Sequence, residues 1–178
     1  MTGKDNAMSV EDELKIQRSI NLYGFAVDTQ SWDLFDQVFT PDVDADYSET
    51  SHWRDRSTLK SDFEAYHLPF DGTQHAMMSH LVHVSGDEAW ALTYATWRLI
   101  RKGLDGGDFW EGTGWYDDTL VRTGDGWRIK ARTCRIIWWG GNPLVNETVP
   151  GVKFSLPMFA LKAEREAGRV RYFNALTA

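Results

Sequence analysis

The chain has 178 residues, of which 42% are hydrophobic and 25% charged, and carries a formal net charge of −7. That length and mix suit a single soluble globular domain with a sizeable core. The acidic balance argues against nucleic acid as a partner, because a phosphate backbone selects Lys/Arg-rich surfaces, and no apolar run approaches the roughly 20 residues that span a bilayer.

Residues 1–8 are polar and aperiodic and predict a loose end. Ser9, followed by Asp12 and Glu13, reads as a helix N-cap with acidic first-turn residues. Ile16, Ile20, Tyr23 and Val27 then recur on one apolar helical face, and Asp28 continues the row Ile20–Gly24–Asp28. A second short helix is predicted over Ser31–Phe39, capped by Ser31 and stopped before Pro41. Val43–Tyr47 is a brief strand, and 48–56 is polar loop. Ser57–His67 is a third helix, with Leu59, Phe63 and Tyr66 spaced for burial and Pro69 ending it.

From there the period changes to two. Strands are predicted at roughly 73–84, 89–101, 109–122 and 126–139, separated by Ser85-Gly-Asp87, Gly103–Gly107 and Gly124-Asp-Gly126. Connections this short make antiparallel neighbours. Helices first and an antiparallel meander after them give an α+β domain with helices on one face of the sheet. After Gly140-Gly-Asn-Pro143 the chain is less regular over 143–178, with a short helix at Pro157–Glu166 and a modestly basic run of Arg165, Arg169 and Arg171.

Five histidines invite a search for metal and acid–base sites. Strict alternation puts His75 and His83 on one face, about 26 Å apart at the usual rise per strand residue, with His80 on the other face. They cannot share one ion from a straight strand, and no HExxH or paired-cysteine motif is present, so no metal is expected. No nucleotide-cofactor loop and no nucleophile motif occurs; Cys134, the single cysteine, reads as a buried structural thiol. One cysteine allows no internal disulfide, and the N-terminus lacks a signal-peptide apolar region; together these predict a cytoplasmic protein.

What remains is His75 at the start of a strand and Asp28 on the apolar side of a helix that must pack on that strand's sheet. A carboxylate on one ring nitrogen orients an imidazole and raises its basicity, leaving the other nitrogen for a substrate. Nine tryptophans, nine phenylalanines and six tyrosines favour a small apolar or aromatic molecule as ligand over a sugar or nucleotide.

The segments Tyr23-Gly-Phe-Ala-Val-Asp28, Trp32-Asp-Leu-Phe, Asp46-Tyr-Ser48, Thr73-Gln-His75, Gly86-Asp-Glu-Ala89 and Val121–Ile129 occur in this order. The chain resembles the SnoaL-like branch of the NTF2-like superfamily, from about Val10 to Pro143. This group includes polyketide cyclases and resembles scytalone dehydratase and hexachlorocyclohexane dehydrochlorinase. The resemblance implies a cone-shaped α+β barrel, a curved antiparallel sheet with the N-terminal helices on its concave face around a deep apolar pocket. It also implies an Asp28–His75 base working without a cofactor. Tyr23 and Tyr47 match tyrosines that hold water or polarise a carbonyl, and Arg132 matches a basic residue that steadies a leaving anion. The chain departs from the dehydratases at Tyr94–Arg98, where they carry a second histidine, and at Ser79, where many relatives have asparagine.

The expected function is a lyase or isomerase of dehydratase, double-bond isomerase or cyclase type, with Asp28, His75, Tyr47 and Tyr23 catalytic. Phe25, Trp32, Met77, Trp97, Trp115, Arg132 and Trp138 are expected to bind substrate. The alternative is a non-catalytic binding or assembly protein of the same fold, similar to the small subunit of a ring-hydroxylating dioxygenase. Because alternation leaves Trp or Ile on both faces of the sheet, a homodimer or higher homo-oligomer joined back to back is expected.

Overall fold

Helix α1 (Val10–Asp28) buries the face read from its periodicity: Ile16, Ile20, Tyr23 and Val27 are essentially inaccessible. The structure, a computed structural model, describes residues 10–177, so the expectations for 1–8 and the Ser9 cap lie outside the described residues. After α1, a 3-10 turn (Trp32–Leu34) leads into the short helix α2 (Phe35–Val38). Ser31 precedes the turn but makes no capping bond; its hydroxyl accepts from that of Thr29 instead (3.0 Å). Helix α3 (Arg56–His67) is capped by Asp55, whose carboxylate accepts from the Thr58 amide (2.8 Å) and hydroxyl (2.9 Å).

Strands β1 (Phe39–Ser48), β2 (Ser51–Trp53), β3 (Gly72–Ser85), β4 (Glu88–Ile100), β5 (Phe109–Thr123) and β6 (Gly126–Gly141) form one curved sheet in the order β2-β1-β6-β5-β4-β3. All pairs are antiparallel except β1 with β6, which is parallel. The sequence reading missed β2 and began β1 four residues late, because Pro41 falls inside it. Pro41 sits where the β1–β6 register shifts between Phe39 and Asp44, a place a residue without an N–H is tolerated.

On β4, Ala89, Ala91, Thr93, Ala95 and Trp97 alternate into the interior and are buried. The small side chains leave room for α1, which packs on β3 beside them. The helices thus cover one face of the sheet.

The opposite face is partly covered by the chain's own end. The segment around Met158 pairs with Ile136, and the Phe159 amide donates to the Ile136 carbonyl (2.7 Å). Helices α4 (Leu161–Glu166) and α5 (Arg171–Ala175) follow. Asp117 on β5 anchors α5 by accepting from the backbone amides of Arg171 (2.7 Å) and Tyr172 (3.1 Å). Val170 and Tyr172 then bury Leu92 and Trp115. No helix among the described residues is long and apolar enough to cross a membrane.

Candidate active site

Asp28 ends α1 and His75 begins β3, and Gly24 brings the two elements together. A Cβ at Gly24 would meet the His75 carbonyl oxygen at 2.9 Å, so only a residue without one permits this approach. Asp28 lies one turn further along the same face. Its Oδ1 accepts from His75 Nδ1 (2.7 Å) and the Thr73 hydroxyl (2.9 Å), and its Oδ2 accepts from the His75 backbone N–H (2.7 Å). Both side chains are largely buried, 7% exposed for His75 and 19% for Asp28. Burial alone would raise the Asp28 carboxyl, but the bonds from the His75 ring and amide and from Thr73 outweigh it and hold the pKa below the ordinary value. An ionised carboxylate can only accept, so His75 carries its proton on Nδ1. Its Nε2 makes no hydrogen bond among the described residues, and in the neutral imidazole it is the nitrogen that carries the lone pair.

Deeper in the cone lies a row of tyrosines. Tyr47 donates to the Tyr23 hydroxyl (3.0 Å), Tyr23 and Tyr116 share a longer contact (3.4 Å), and Trp97 Nε1 donates to Tyr116 (2.8 Å). Burial raises all three phenols well above their usual range, so they remain protonated donors. The Tyr23 ring meets that of His75 edge-on, with centroids 6.1 Å apart.

Beneath the tyrosines, Arg132 and Asp118 form a fully buried two-point pair, both bonds 2.7 Å. Burial works against the arginine's charge, but the Asp118 carboxylate more than compensates and keeps it protonated. Its guanidinium lies over the rings of Tyr23 (4.3 Å) and Tyr116 (4.2 Å). Nη1 has no hydrogen-bond partner, and these ring faces are its nearest electrostatic compensation.

Two residues of this constellation were missed from sequence. Tyr116 was hidden in a strand whose inward face could not be identified without its partners. His67 was readable: it follows Leu59 and Phe63 by eight and four residues, on the buried face of α3. Its ring centroid is 6.2 Å from that of His75.

Of the expected substrate-binding residues, Trp97 joins the tyrosines, Arg132 supports them, and Met77 packs against the core beside Gly24. Trp32 lies against His67 and Phe35. Three others are elsewhere. Phe25 is 69% exposed, since it is two positions from Tyr23 and so on the far side of the helix. Trp115 is buried on the outer face of the sheet beneath Val170 and Tyr172. Trp138 sits on that same outer face, opposite Thr113, and is half exposed.

The histidine faces also differ from strict alternation. Ser79 adopts φ +53° and the β3–β4 register slips by one residue between Met78 and Leu81, a bulge. His83 therefore turns to the outer face, where it stacks on Trp90 (5.8 Å). His80 turns inward, its Nδ1 3.0 Å from the buried Thr93 hydroxyl. Among the described residues, no three His, Cys, Asp or Glu side chains gather as a metal site would require.

Residues 8–133 match the family of the SnoaL-like domain. An uncharacterized protein of Mycobacterium tuberculosis is 31% identical over 133 residues, spanning 69% of this chain and 84% of the relative. Among solved structures, a candidate scytalone dehydratase from Novosphingobium aromaticivorans superposes with a TM-score of 0.71 at 18% identity, covering 85% of this chain and 95% of its own. A type 2 hexachlorocyclohexane dehydrochlorinase superposes with a TM-score of 0.63 at 14% identity, covering 85% and 100%. At these identities the structural likeness speaks for the fold.

Proposed function

This chain belongs to the SnoaL-like domain family, and from that premise we propose that it is a lyase or isomerase acting, with no cofactor, on a small, largely apolar ring compound. The observation that carries the reading is the 2.7 Å bond from His75 Nδ1 to Asp28, which leaves Nε2 unpartnered. In this reading His75 Nε2 takes a proton from an acidic carbon of the substrate. Asp28 stays ionised and stabilises the imidazolium that forms. Negative charge then moves onto a substrate oxygen, and Tyr23 donates a hydrogen bond to it while Tyr47, which donates to the Tyr23 hydroxyl, strengthens Tyr23 as a donor. Tyr23 suits this role because its contact to Tyr116 is long (3.4 Å), so its proton can turn to a ligand. Trp32, Met77 and Trp97 would form the walls, and Arg132 would supply positive potential from below.

Elimination, double-bond migration and ring closure all begin with this proton abstraction, and the substrate decides which follows. The test is deuterium uptake from heavy water into a panel of cyclic ketones and enones, followed by mass spectrometry. Wild type should label at least one member, and His75→Ala should lose about 100-fold or more of that rate. Equal labelling by the two proteins would remove the Asp28–His75 pair from the chemistry.

The apolar residues left on the outer sheet face are the basis for proposing, in addition, a homodimer joined through that face. Met78, Tyr94 and Trp138 remain 42–50% exposed there, beside the part that the chain's own end covers.

A further inference from the structure

His67 plays no part in the proton abstraction above, yet it is one of the most enclosed polar groups in the protein, 3% exposed. Rings surround it: Trp32 (5.4 Å), Phe63 (5.4 Å), Tyr66 (5.0 Å), Phe70 (5.7 Å) and His75 (6.2 Å) between centroids. Its Nδ1 lies 2.7 Å from the Phe63 carbonyl, which can only accept, so the proton is on Nδ1. Nε2 therefore offers a lone pair, and it makes no hydrogen bond among the described residues. The nearest phenol, Tyr66, is committed to Asn146 (2.7 Å). His75 has the same tautomer for a different reason, its Nδ1 being held by Asp28. Two imidazoles side by side thus present acceptors and no donor.

We propose that His67 is a ligand-contacting, specificity-determining residue, a fixed acceptor that selects cyclic molecules carrying a hydroxyl near the carbon that faces His75. Where the ligand lies rests on the reading of His75 as the base; the preference for a hydroxyl does not require turnover. A ligand without a donor buries a second lone pair unmet, and a hydroxyl meets it. Selection of this kind is strong because the penalty falls on the wrong ligand rather than being a bonus for the right one. The acceptor persists at neutral pH. Burial among the rings, reinforced by His75, brings the His67 pKa down to about 4 against the opposing effect of the Phe63 carbonyl.

Phenol and toluene are matched probes, alike in shape and differing in one donor, and their affinities can be measured by NMR titration. Wild type should bind phenol at least about 10-fold more tightly than toluene, although toluene is the more apolar. In His67→Phe, which suits the surrounding rings, the order should reverse, while His67→Gln, which keeps an acceptor, should retain the preference. In wild type the His67 Nε2 resonance should move on adding phenol and stay fixed with toluene. Equal or weaker binding of phenol by wild type, or no binding of either probe, overturns the assignment. So does a preference that survives His67→Phe and disappears in His75→Phe, because the ligand hydroxyl would then be met by His75. Failure of the base reading is separate: it would appear as no His75-dependent deuterium uptake with the phenol preference intact.

Discussion

Gly24 on α1 faces the carbonyl oxygen of His75 on β3 so closely that a Cβ on the glycine would stand 2.9 Å from it. That approach sets the distance at which Asp28, one turn later, reaches both the ring and the backbone amide of His75. Gly24→Ala should therefore act against helix propensity. Alanine favours the helix by about 1 kcal/mol, while overpacking against a backbone atom costs about 1–3 kcal/mol. We expect a net loss of stability in urea denaturation and a larger loss of deuterium uptake, because the pair is forced apart. A more stable variant with full uptake would refute the close-packing account.

Asp28→Asn keeps the shape of the carboxylate and removes its charge. An amide can no longer accept from the ring, the hydroxyl and the amide together while stabilising an imidazolium. Uptake should fall by about 100-fold or more with the fold retained. The pH sign follows from the lowered Asp28 pKa. Its contribution to stability is present above the ordinary value of 3.8 and is lost as pH falls through the lower folded value. A difference of less than about threefold between variant and wild type would mean the carboxylate is structural only.

His67 gives a second pH window, of the same sign and at higher pH. Its folded pKa of about 4 lies below the ordinary 6.5, so the unfolded chain binds the extra proton first. Stability should be full above pH 6.5 and decline as pH falls towards 4, by roughly 3 kcal/mol from this group. Denaturant midpoints measured at pH 7, 5.5 and 4 should show that decline in wild type and a shallower one in His67→Phe. Parallel curves for the two proteins would place His67 in a more solvated environment than its neighbours imply.

The buried pair of Arg132 and Asp118 tests what supports the tyrosines. Removing one partner, as in Asp118→Asn or Arg132→Met, strands the other charge in the core and should cost about 3–5 kcal/mol. The double variant Arg132→Met with Asp118→Leu should recover most of that loss. It should not recover uptake, because the positive potential beneath Tyr23 and Tyr116 is gone. If both single variants are as stable as wild type, the pair is not holding the core together.

Tyr94 and Trp138 on the outer face report on assembly. Light scattering after size exclusion should give a dimer or larger oligomer for wild type, and Tyr94→Glu with Trp138→Glu should shift it to monomer. A monomeric wild type would refute back-to-back association and leave Met78, Tyr94 and Trp138 as ordinary exposed apolar residues.

Periodicity along the chain was enough to determine that helices come first and four long strands follow, the buried face of α1, those strands to within two residues at either end, and the candidacy of Asp28 and His75. Those are local properties: a 3.6-residue repeat, a two-residue repeat and turn chemistry, each legible within a short window. Tertiary structure decided what depends on distant partners. The slip at Ser79 exchanges the faces of His80 and His83, and nothing within β3 announces it, because a bulge is defined by the count of residues on the facing strand. Trp115 and Trp138 look like any other strand tryptophans until the partner strands fix which face is concave and the chain's end covers one of them. His67 and Tyr116 reach the site from α3 and β5, which are brought beside His75 and Tyr23 only by folding. Asp28 and His75 were each legible alone, but their bond exists because Gly24 lets a helix and a strand approach to within a missing methyl group.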